Sequence, residues 1–240
     1  MSCETFFDKI QSILDEIRKN DLDTIHAAAE LVADCIMGGG IVQTFGCGHS
    51  RAAAMEVSMR AGGLVPVKLI DEPSQGRYEK VPGVGAAFMS QYDARPGDLF
   101  IIISNSGGNP MPVEVAQHAK KIGCKVIALT ALEVSKSAAV KPGGGKRLYE
   151  LADVVLDLHS CYGDAAIEVK GLPGKVCGTT SILSAYLLDG LMLEAIELMV
   201  ERGFNPPVLL SGNIEGGEEQ GRALIMKYYD RLLRNHTLYI

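Results

Sequence analysis

The chain has 240 residues and a formal net charge of −6, with 47% hydrophobic and 22% charged residues. This composition is typical of a globular protein and excludes a disordered chain. The acidic balance disfavours nucleic acid as a partner. No apolar run is long enough to span a bilayer, and the amphipathic, acidic N-terminus does not resemble a signal peptide. The sequence therefore predicts a cytoplasmic protein that binds neither nucleic acid nor a membrane.

The six cysteines are scattered along the chain, and no two of them have the CxxC spacing of a metal knuckle. A disulfide framework is also not expected in a protein that is not secreted. We therefore predict reduced thiols and no metal site.

The first elements are predicted to be helices. Apolar residues recur at helical spacing from Phe6 to Ile17, and Asn20 or Asp21 can cap a second helix that ends near Met37. Residues 1–37 are thus interpreted as an N-terminal helical arm. Its apolar stripe must pack on the domain or on a partner subunit, and we favour a homodimer or a larger homo-oligomer.

From residue 38 onward, short apolar runs alternate with helical stretches. The runs occupy residues 41–45, 64–70, 99–103, 125–129 and 154–158. Each run is mostly apolar instead of alternating between apolar and polar residues, as in parallel strands that are covered on both faces. Helices are predicted near 50–61, 84–92, 111–121 and 179–202. This alternation predicts an α/β fold with a three-layer, doubly wound, Rossmann-like sheet of five parallel strands.

The sheet domain is predicted to cover residues 38–205. The pair Pro206-Pro207 ends it, and a last helix is predicted over 218–234. Residues 206–240 would then form a C-terminal loop and helix that pack on the same domain or on a partner subunit.

Three polar loops lie where a ligand is expected, because ligands bind beyond the carboxyl ends of the strands in open parallel sheets. Gly46-Cys47-Gly48-His49-Ser50 follows the first strand, Ser104-Asn105-Ser106-Gly107-Gly108-Asn109 follows the third, and Gly178-Thr179-Thr180-Ser181 begins the long helix. Glycine lets the backbone approach an anion, hydroxyls and amides donate hydrogen bonds, and helix N-termini attract negative charge. The three loops together predict a pocket for a phosphate that is attached to a polyhydroxylated body.

The paired motifs Gly46-x-Gly48-x-Ser50 and Ser104-x-Ser106-Gly107 resemble those of the sugar isomerase (SIS) domain family of phosphosugar-binding proteins. The segments FGCGHSRAAAMEVSMRAGGLVPV and SGNIEGGEE are similar to a bacterial subgroup of stand-alone SIS proteins. The resemblance implies a SIS-type sheet and a phosphorylated sugar as the ligand. The residues that it assigns to the phosphosugar site are Gly46, Gly48, His49, Ser50, Ser104, Asn105, Ser106, Gly107, Asn109, Thr179, Thr180 and Ser181.

The resemblance also implies aldose–ketose isomerisation through an enediol, or a related lyase or etherase reaction. Such chemistry needs a base near carbon 2 and no redox cofactor. Some family members have a glutamate on the helix after the first glycine loop, where this sequence has Arg60, and Glu56 one turn earlier is the nearest carboxylate. The other catalytic candidates are Glu79, Glu168, His236 and, as a weaker one, His159.

A non-catalytic sensor is the main alternative to an enzyme. Arg60 in place of the family's glutamate favours a protein that binds a phosphosugar and regulates a partner protein, whereas the carboxylates of the loops favour catalysis. The sequence leaves this choice open.

A nucleotide-binding protein and a serine hydrolase fit the sequence less well. A Rossmann nucleotide site would use Gly46-x-Gly48 and Asp71, but Arg51 stands where a third glycine is needed. A serine hydrolase could use Ser50 with Asp157 and His236, but its nucleophile normally follows a later strand.

Overall fold

The computed structural model describes residues 2–137 and 145–234. Five strands form a parallel sheet, and two further strands form an antiparallel hairpin. The sheet strands are β1 (Val42–Gly46), β2 (Val67–Leu69), β3 (Leu99–Ile103), β4 (Lys125–Thr130) and β5 (Val154–Asp157), and the hairpin strands are β6 (Ala165–Ile167) and β7 (Val176–Gly178). The helices are α1 (Ser2–Asn20), α2 (Leu22–Met37), α3 (His49–Glu56), α4 (Val84–Ser90), α5 (Pro110–Lys121), α6 (Leu132–Lys136), α7 (Thr180–Glu201) and α8 (Gly217–Leu233).

The sheet has the strand order β2-β1-β3-β4-β5, with helices on both faces. Every residue of β1 and β3 is buried, because successive side chains of a strand point to opposite faces and both faces are covered. In β3, Ile101 and Ile103 belong to the core beneath α2, α3 and α7, whereas Phe100 and Ile102 belong to the core beneath α4 and α5. The predicted α/β, three-layer, doubly wound sheet of five parallel strands is confirmed.

The two N-terminal helices differ in how deeply they pack. α2 buries Ala28, Ala29 and Val32 in the same core as Leu187 and Leu191 of α7. α1 buries Ile13 and Ile17, but Phe7 near its start is 63% exposed. α2 therefore belongs to a helical layer of the sheet, and α1 packs at the periphery.

Two predicted elements are shorter than the sequence pattern indicated. The run 64–70 yields only β2, because Leu64 forms an antiparallel bridge with Val208 instead. The helix predicted over 50–61 ends at Glu56, and Met59 then adopts a left-handed backbone conformation with φ +54°. The apolar composition continues through both segments, so it could not mark these ends.

The described part of the C-terminal segment packs on the same domain. α8 lies beside the edge strand β2, where Lys68 donates to the carbonyl oxygens of Arg231 and Arg234. None of the described helices combines the length and the hydropathy of a membrane-spanning helix.

Candidate functional site

A cavity of about 510 Å³ opens at the carboxyl edge of the sheet. Its wall is formed by the loops after β1, β2 and β3, by Pro112 of α5 and Val134 of α6, and by the segment that leads into β6 together with the start of α7. Nine of the sequence-predicted site residues line it: Gly48, His49, Ser50, Glu79, Ser104, Asn105, Ser106, Asn109 and Thr180. The fold thus brings most of the predicted site together from separate parts of the chain.

The loop after β3 is shaped by a glycine that no other residue could replace without strain. Gly107 has φ +61°, and a Cβ atom there would lie 2.7 Å from Ser135 Oγ and 2.9 Å from Thr130 Oγ1. The carbonyl oxygen of Asn105 accepts hydrogen bonds from Thr130 Oγ1 at 3.1 Å and from the N–H of Ala131 at 3.0 Å. These contacts hold the loop against β4 and fix its backbone at the cavity.

The hydroxyl oxygens of the two serines in this loop accept backbone hydrogen bonds. Ser104 Oγ accepts the N–H of Gly107 at 3.2 Å, and Ser106 Oγ accepts the N–H of Gly108 at 3.5 Å. Each hydroxyl hydrogen is therefore left to donate elsewhere. Ser104 is only 7% exposed, so its hydroxyl lies in a partly desolvated place, where hydrogen bonds are stronger than in water.

The N-terminus of α5 offers fewer backbone donors than the sequence suggested. Pro110 and Pro112 have no N–H, and the N–H of Met111 donates to the carbonyl oxygen of Glu79 at 3.1 Å. The first turn of α5 therefore supplies few backbone donors to the cavity.

The loop after β1 is also fixed by glycines. A Cβ atom on Gly46 would lie 2.4 Å from the carbonyl oxygen of Ser50, so the first turn of α3 can fold onto the strand end only beside glycine. Gly48 has φ +56° and turns the chain into α3. His49 and Ser50 consequently face the cavity from the first turn of the helix.

The start of α7 is occupied by a carboxylate that sequence reasoning missed. Asp164 Oδ1 accepts the N–H groups of Thr179 at 2.8 Å and Thr180 at 2.9 Å, and the Thr180 hydroxyl donates to Asp164 Oδ2 at 2.9 Å. Thr179 is fully buried, and Ser181 is exposed outside the cavity. Of the three predicted hydroxyls, only that of Thr180 therefore reaches the cavity.

Glu79 is the one catalytic candidate that the described residues place in the cavity. Its carboxylate makes no hydrogen bond or ion pair with any residue that the structure describes. Cys47 lines the same cavity, and burial, followed by the charges of Glu79 and Glu72, raises the pKa of its thiol to about 12. The thiol is therefore neutral at physiological pH.

Glu56 and Glu168 lie outside the cavity. Glu56 pairs with Arg60, which is also 3.4 Å from Asp189, so this group of charges lies between α3 and α7. Glu168 lies in the loop of the β6–β7 hairpin, 3.8 Å from Lys175 and exposed to solvent. His236 lies outside the described residues.

The acidic residues that a nucleotide site or a serine hydrolase would use have structural partners. Asp71 pairs with Arg51 at 2.6 Å. Asp157 accepts the N–H groups of Leu132 and His159, each at 2.9 Å. Within residues 2–137 and 145–234, no cluster of three histidine, cysteine or acidic side chains is arranged to hold a metal ion.

His159 also lies outside the cavity, at the junction of α1 and α2. Its Nε2 is 2.7 Å from Asp21, and its Nδ1 is 3.3 Å from Glu16. Burial lowers the pKa of His159, but the hydrogen bond to Asp21 and the nearby carboxylates outweigh burial and raise it above the usual 6.5. This histidine therefore joins the helical arm to the end of β5.

Comparisons with known proteins agree with the fold. The SIS domain model matches residues 5–131 of the chain. The UPF0309 protein lmo0025 of Listeria monocytogenes is 51% identical over 228 residues, which cover 95% of this chain and 97% of that protein. Phosphoheptose isomerase GmhA from Neisseria gonorrhoeae has a TM-score of 0.55 at 20% identity, covering 81% of this chain and 97% of its own. The Vibrio vulnificus NanR protein complexed with ManNAc-6P has a TM-score of 0.53 at 18% identity, covering 97% of this chain and 70% of its own.

Proposed function

The chain belongs to the SIS domain family, and we propose that it binds a phosphorylated sugar in the cavity at the carboxyl edge of the sheet and isomerises it. One observation carries this proposal: two donor hydroxyls, of Ser104 and Ser106, line the same cavity as Glu79, whose carboxylate pairs with no described residue. Proteins of the same fold include one named phosphoheptose isomerase and one solved with ManNAc-6P. These names support a phosphosugar as the ligand.

The phosphate is held at the loop after β3. Ser104 and Ser106 donate their hydroxyl hydrogens to its oxygens, and Gly107 keeps the loop in the conformation that brings the two serines together. Charge-assisted hydrogen bonds of this kind are shorter and stronger than neutral ones. The sugar then extends along the cavity towards Glu79 and Thr180.

Glu79 is the base of the proposed reaction. It takes the proton from carbon 2 of an open-chain aldose while the carbonyl oxygen at carbon 1 gains a proton, which gives the enediol. The enediol then loses the proton of its carbon-2 hydroxyl, and carbon 1 gains a proton to give the ketose. His49 lines the same cavity and is placed to hydrogen-bond the oxygens between which these protons move.

A phosphosugar sensor is the second candidate. The observation that favours it is the position of Glu56, which pairs with Arg60 outside the cavity instead of facing the ligand. Glu79→Ala separates the two functions. An enzyme loses turnover and keeps its affinity for the sugar, whereas a sensor has no turnover in the unaltered protein.

We further propose that the protein self-associates through one face of α7. Ile182, Tyr186, Leu193 and Val200 lie along this face and are 43–58% exposed, which is unusual for large apolar side chains at helical spacing. Leu193→Glu should lower the mass measured by sedimentation equilibrium. Phe7→Glu, on the exposed start of α1, tests whether the arm contributes instead.

The binding site is tested with the double variant Ser104→Ala/Ser106→Ala. A hydrogen bond to a charged group contributes about 1.5–3 kcal/mol, so the double variant should lose on the order of 100-fold or more in affinity for a sugar phosphate. Ser90→Ala is the matched control, because Ser90 is exposed at the end of α4 and its hydroxyl contacts only near neighbours, the carbonyl oxygen of Ala87 and the side-chain amide of Gln91. Isothermal titration with hexose and heptose phosphates gives the affinities, and unchanged affinity in the double variant would contradict the site.

A further inference from the structure

Two parts of the cavity wall have opposite hydrogen-bond polarity. In the loop after β3, Ser104 and Ser106 have hydroxyl hydrogens to donate, because their oxygens already accept backbone N–H groups. At the start of α7, the Thr180 hydroxyl uses its hydrogen on Asp164 Oδ2, so towards a ligand it can only accept. A ligand must therefore present acceptors to the serines and donors to Thr180.

The charged groups of the cavity also limit which ligand can bind. A free helix N-terminus attracts anions, but the carboxylate of Asp164 already accepts the first N–H groups of α7 and neutralises that end of the helix. The carboxylate of Glu79 lines the same cavity and has no cationic partner among the described residues. The described lining residues include neither lysine nor arginine.

The position of Asp164 is built into the fold. Asp164 has φ +66°, a left-handed conformation that aspartate tolerates better than most residues. A Cβ atom on Gly178 would lie 2.5 Å from Asp164 Oδ2, so β7 leaves room for the carboxylate only because it ends in glycine. The backbone conformation of Asp164 and the glycine at the end of β7 therefore both keep the carboxylate at the start of α7.

From these observations we propose that Asp164 restricts the substrate to sugars with a single anionic group. The phosphate contacts Ser104 and Ser106, and the rest of the sugar carries hydroxyl groups that donate to Thr180. Sugar bisphosphates and phosphorylated sugar acids are excluded, because their second anion would meet the carboxylates of Asp164 and Glu79. This inference rests on the proposed function, since it assumes that a phosphosugar occupies the cavity.

Two substitutions separate charge from hydrogen bonding. Asp164→Asn removes the negative charge, keeps an oxygen for the helix N–H groups and tolerates the left-handed conformation. The asparagine N–H₂ then donates to the Thr180 hydroxyl, whose hydrogen becomes free to donate to an anion. Thr180→Val removes the accepting hydroxyl but leaves the charge of Asp164 in place.

The test compares affinities by isothermal titration for two pairs of probes: glucose 6-phosphate with 6-phosphogluconate, and fructose 6-phosphate with fructose 1,6-bisphosphate. The unaltered protein should favour the single-anion member of a pair by at least about tenfold, since like charges at close range repel each other. Asp164→Asn should reduce this preference at least about threefold by strengthening the binding of the second member. Thr180→Val should weaken the single-anion sugar and keep the preference.

The outcomes distinguish the inference from the function on which it rests. Equal affinity for both members of a pair, or a preference that Asp164→Asn leaves unchanged, would overturn the role of Asp164 and leave phosphosugar binding intact. If none of the four probes binds, the proposed function is overturned for hexose phosphates and the inference falls with it. Circular dichroism of both variants checks that α7 is still formed.

Discussion

The carboxylate of Asp98 pairs with the guanidinium of Arg231 at 2.7 Å and joins the amino end of β3 to the last turns of α8. The Asp98 side chain is fully buried, and it also accepts the N–H groups of Ile41 and Arg95. This pair lies at the edge of the sheet opposite to the cavity. It therefore contributes to the stability of the fold and not to the proposed site.

Removal of Arg231 should be costly. Arg231→Met leaves the Asp98 carboxylate buried without its cation, and such a loss lowers the free energy of unfolding by about 3–5 kcal/mol. Arg234→Met is the matched control, because Arg234 pairs with Asp230 at the surface and exposed pairs contribute only about 0–1 kcal/mol. Urea unfolding measures both, and equal effects of the two variants would contradict the role assigned to the buried pair.

Gly107→Ala should disrupt the loop after β3, which we propose holds the phosphate. A left-handed conformation costs a residue with a Cβ atom about 1–2 kcal/mol, and this Cβ would also meet the hydroxyls of Ser135 and Thr130. We expect a lower unfolding midpoint in urea and a loss of sugar phosphate binding in titration. Gly174→Ala is the control, because a Cβ atom there meets nothing within 4 Å. Normal binding by Gly107→Ala would show that the loop does not need its observed conformation.

Stability should depend on pH through His159. Asp21, Glu16 and Asp157 surround the imidazole and raise its pKa above the usual 6.5 in the folded protein, despite the opposing effect of burial. The charged form is thus favoured by folding, so its contribution is fully present below pH 6.5 and is lost as the pH rises through the raised pKa. The free energy of unfolding should therefore decrease as the pH rises above 6.5.

His159→Gln should flatten this part of the pH profile of urea unfolding. His26 needs a parallel control, because its hydrogen bond to Glu194 also raises its pKa. His26→Gln measures how much the exposed His26–Glu194 pair contributes to the pH dependence of stability. A pH profile of His159→Gln that matches the profile of the unaltered protein would exclude His159 as the source.

The sheet and two of the three loops could be predicted from the sequence because their signals are local. β3 is wholly apolar and β4 is apolar between its first and last residues, and glycine-rich motifs mark the strand ends at Gly46 and Ser104. Parallel strands bring such ends to one edge, so the predicted loops meet in one cavity.

The remaining features depend on tertiary contacts. β6 and β7 have three residues each, which is too short for a periodic pattern, and their pairing is what brings Asp164 to the start of α7. Glu168 is only four residues from Asp164 in the chain, yet the hairpin directs it to solvent. Likewise, the position of Glu56 outside the cavity is set by the packing of α3 beside α7, which spacing alone does not reveal.

The most direct test of the proposed function is proton NMR in heavy water with a panel of hexose, heptose and amino-sugar phosphates. The account predicts that one of these sugars loses its carbon-2 proton signal and forms the corresponding isomer. Glu79→Ala should abolish the exchange while the sugar still binds. A sugar that binds through Ser104 and Ser106 but shows neither exchange nor conversion would contradict the isomerase and identify the protein as a sensor.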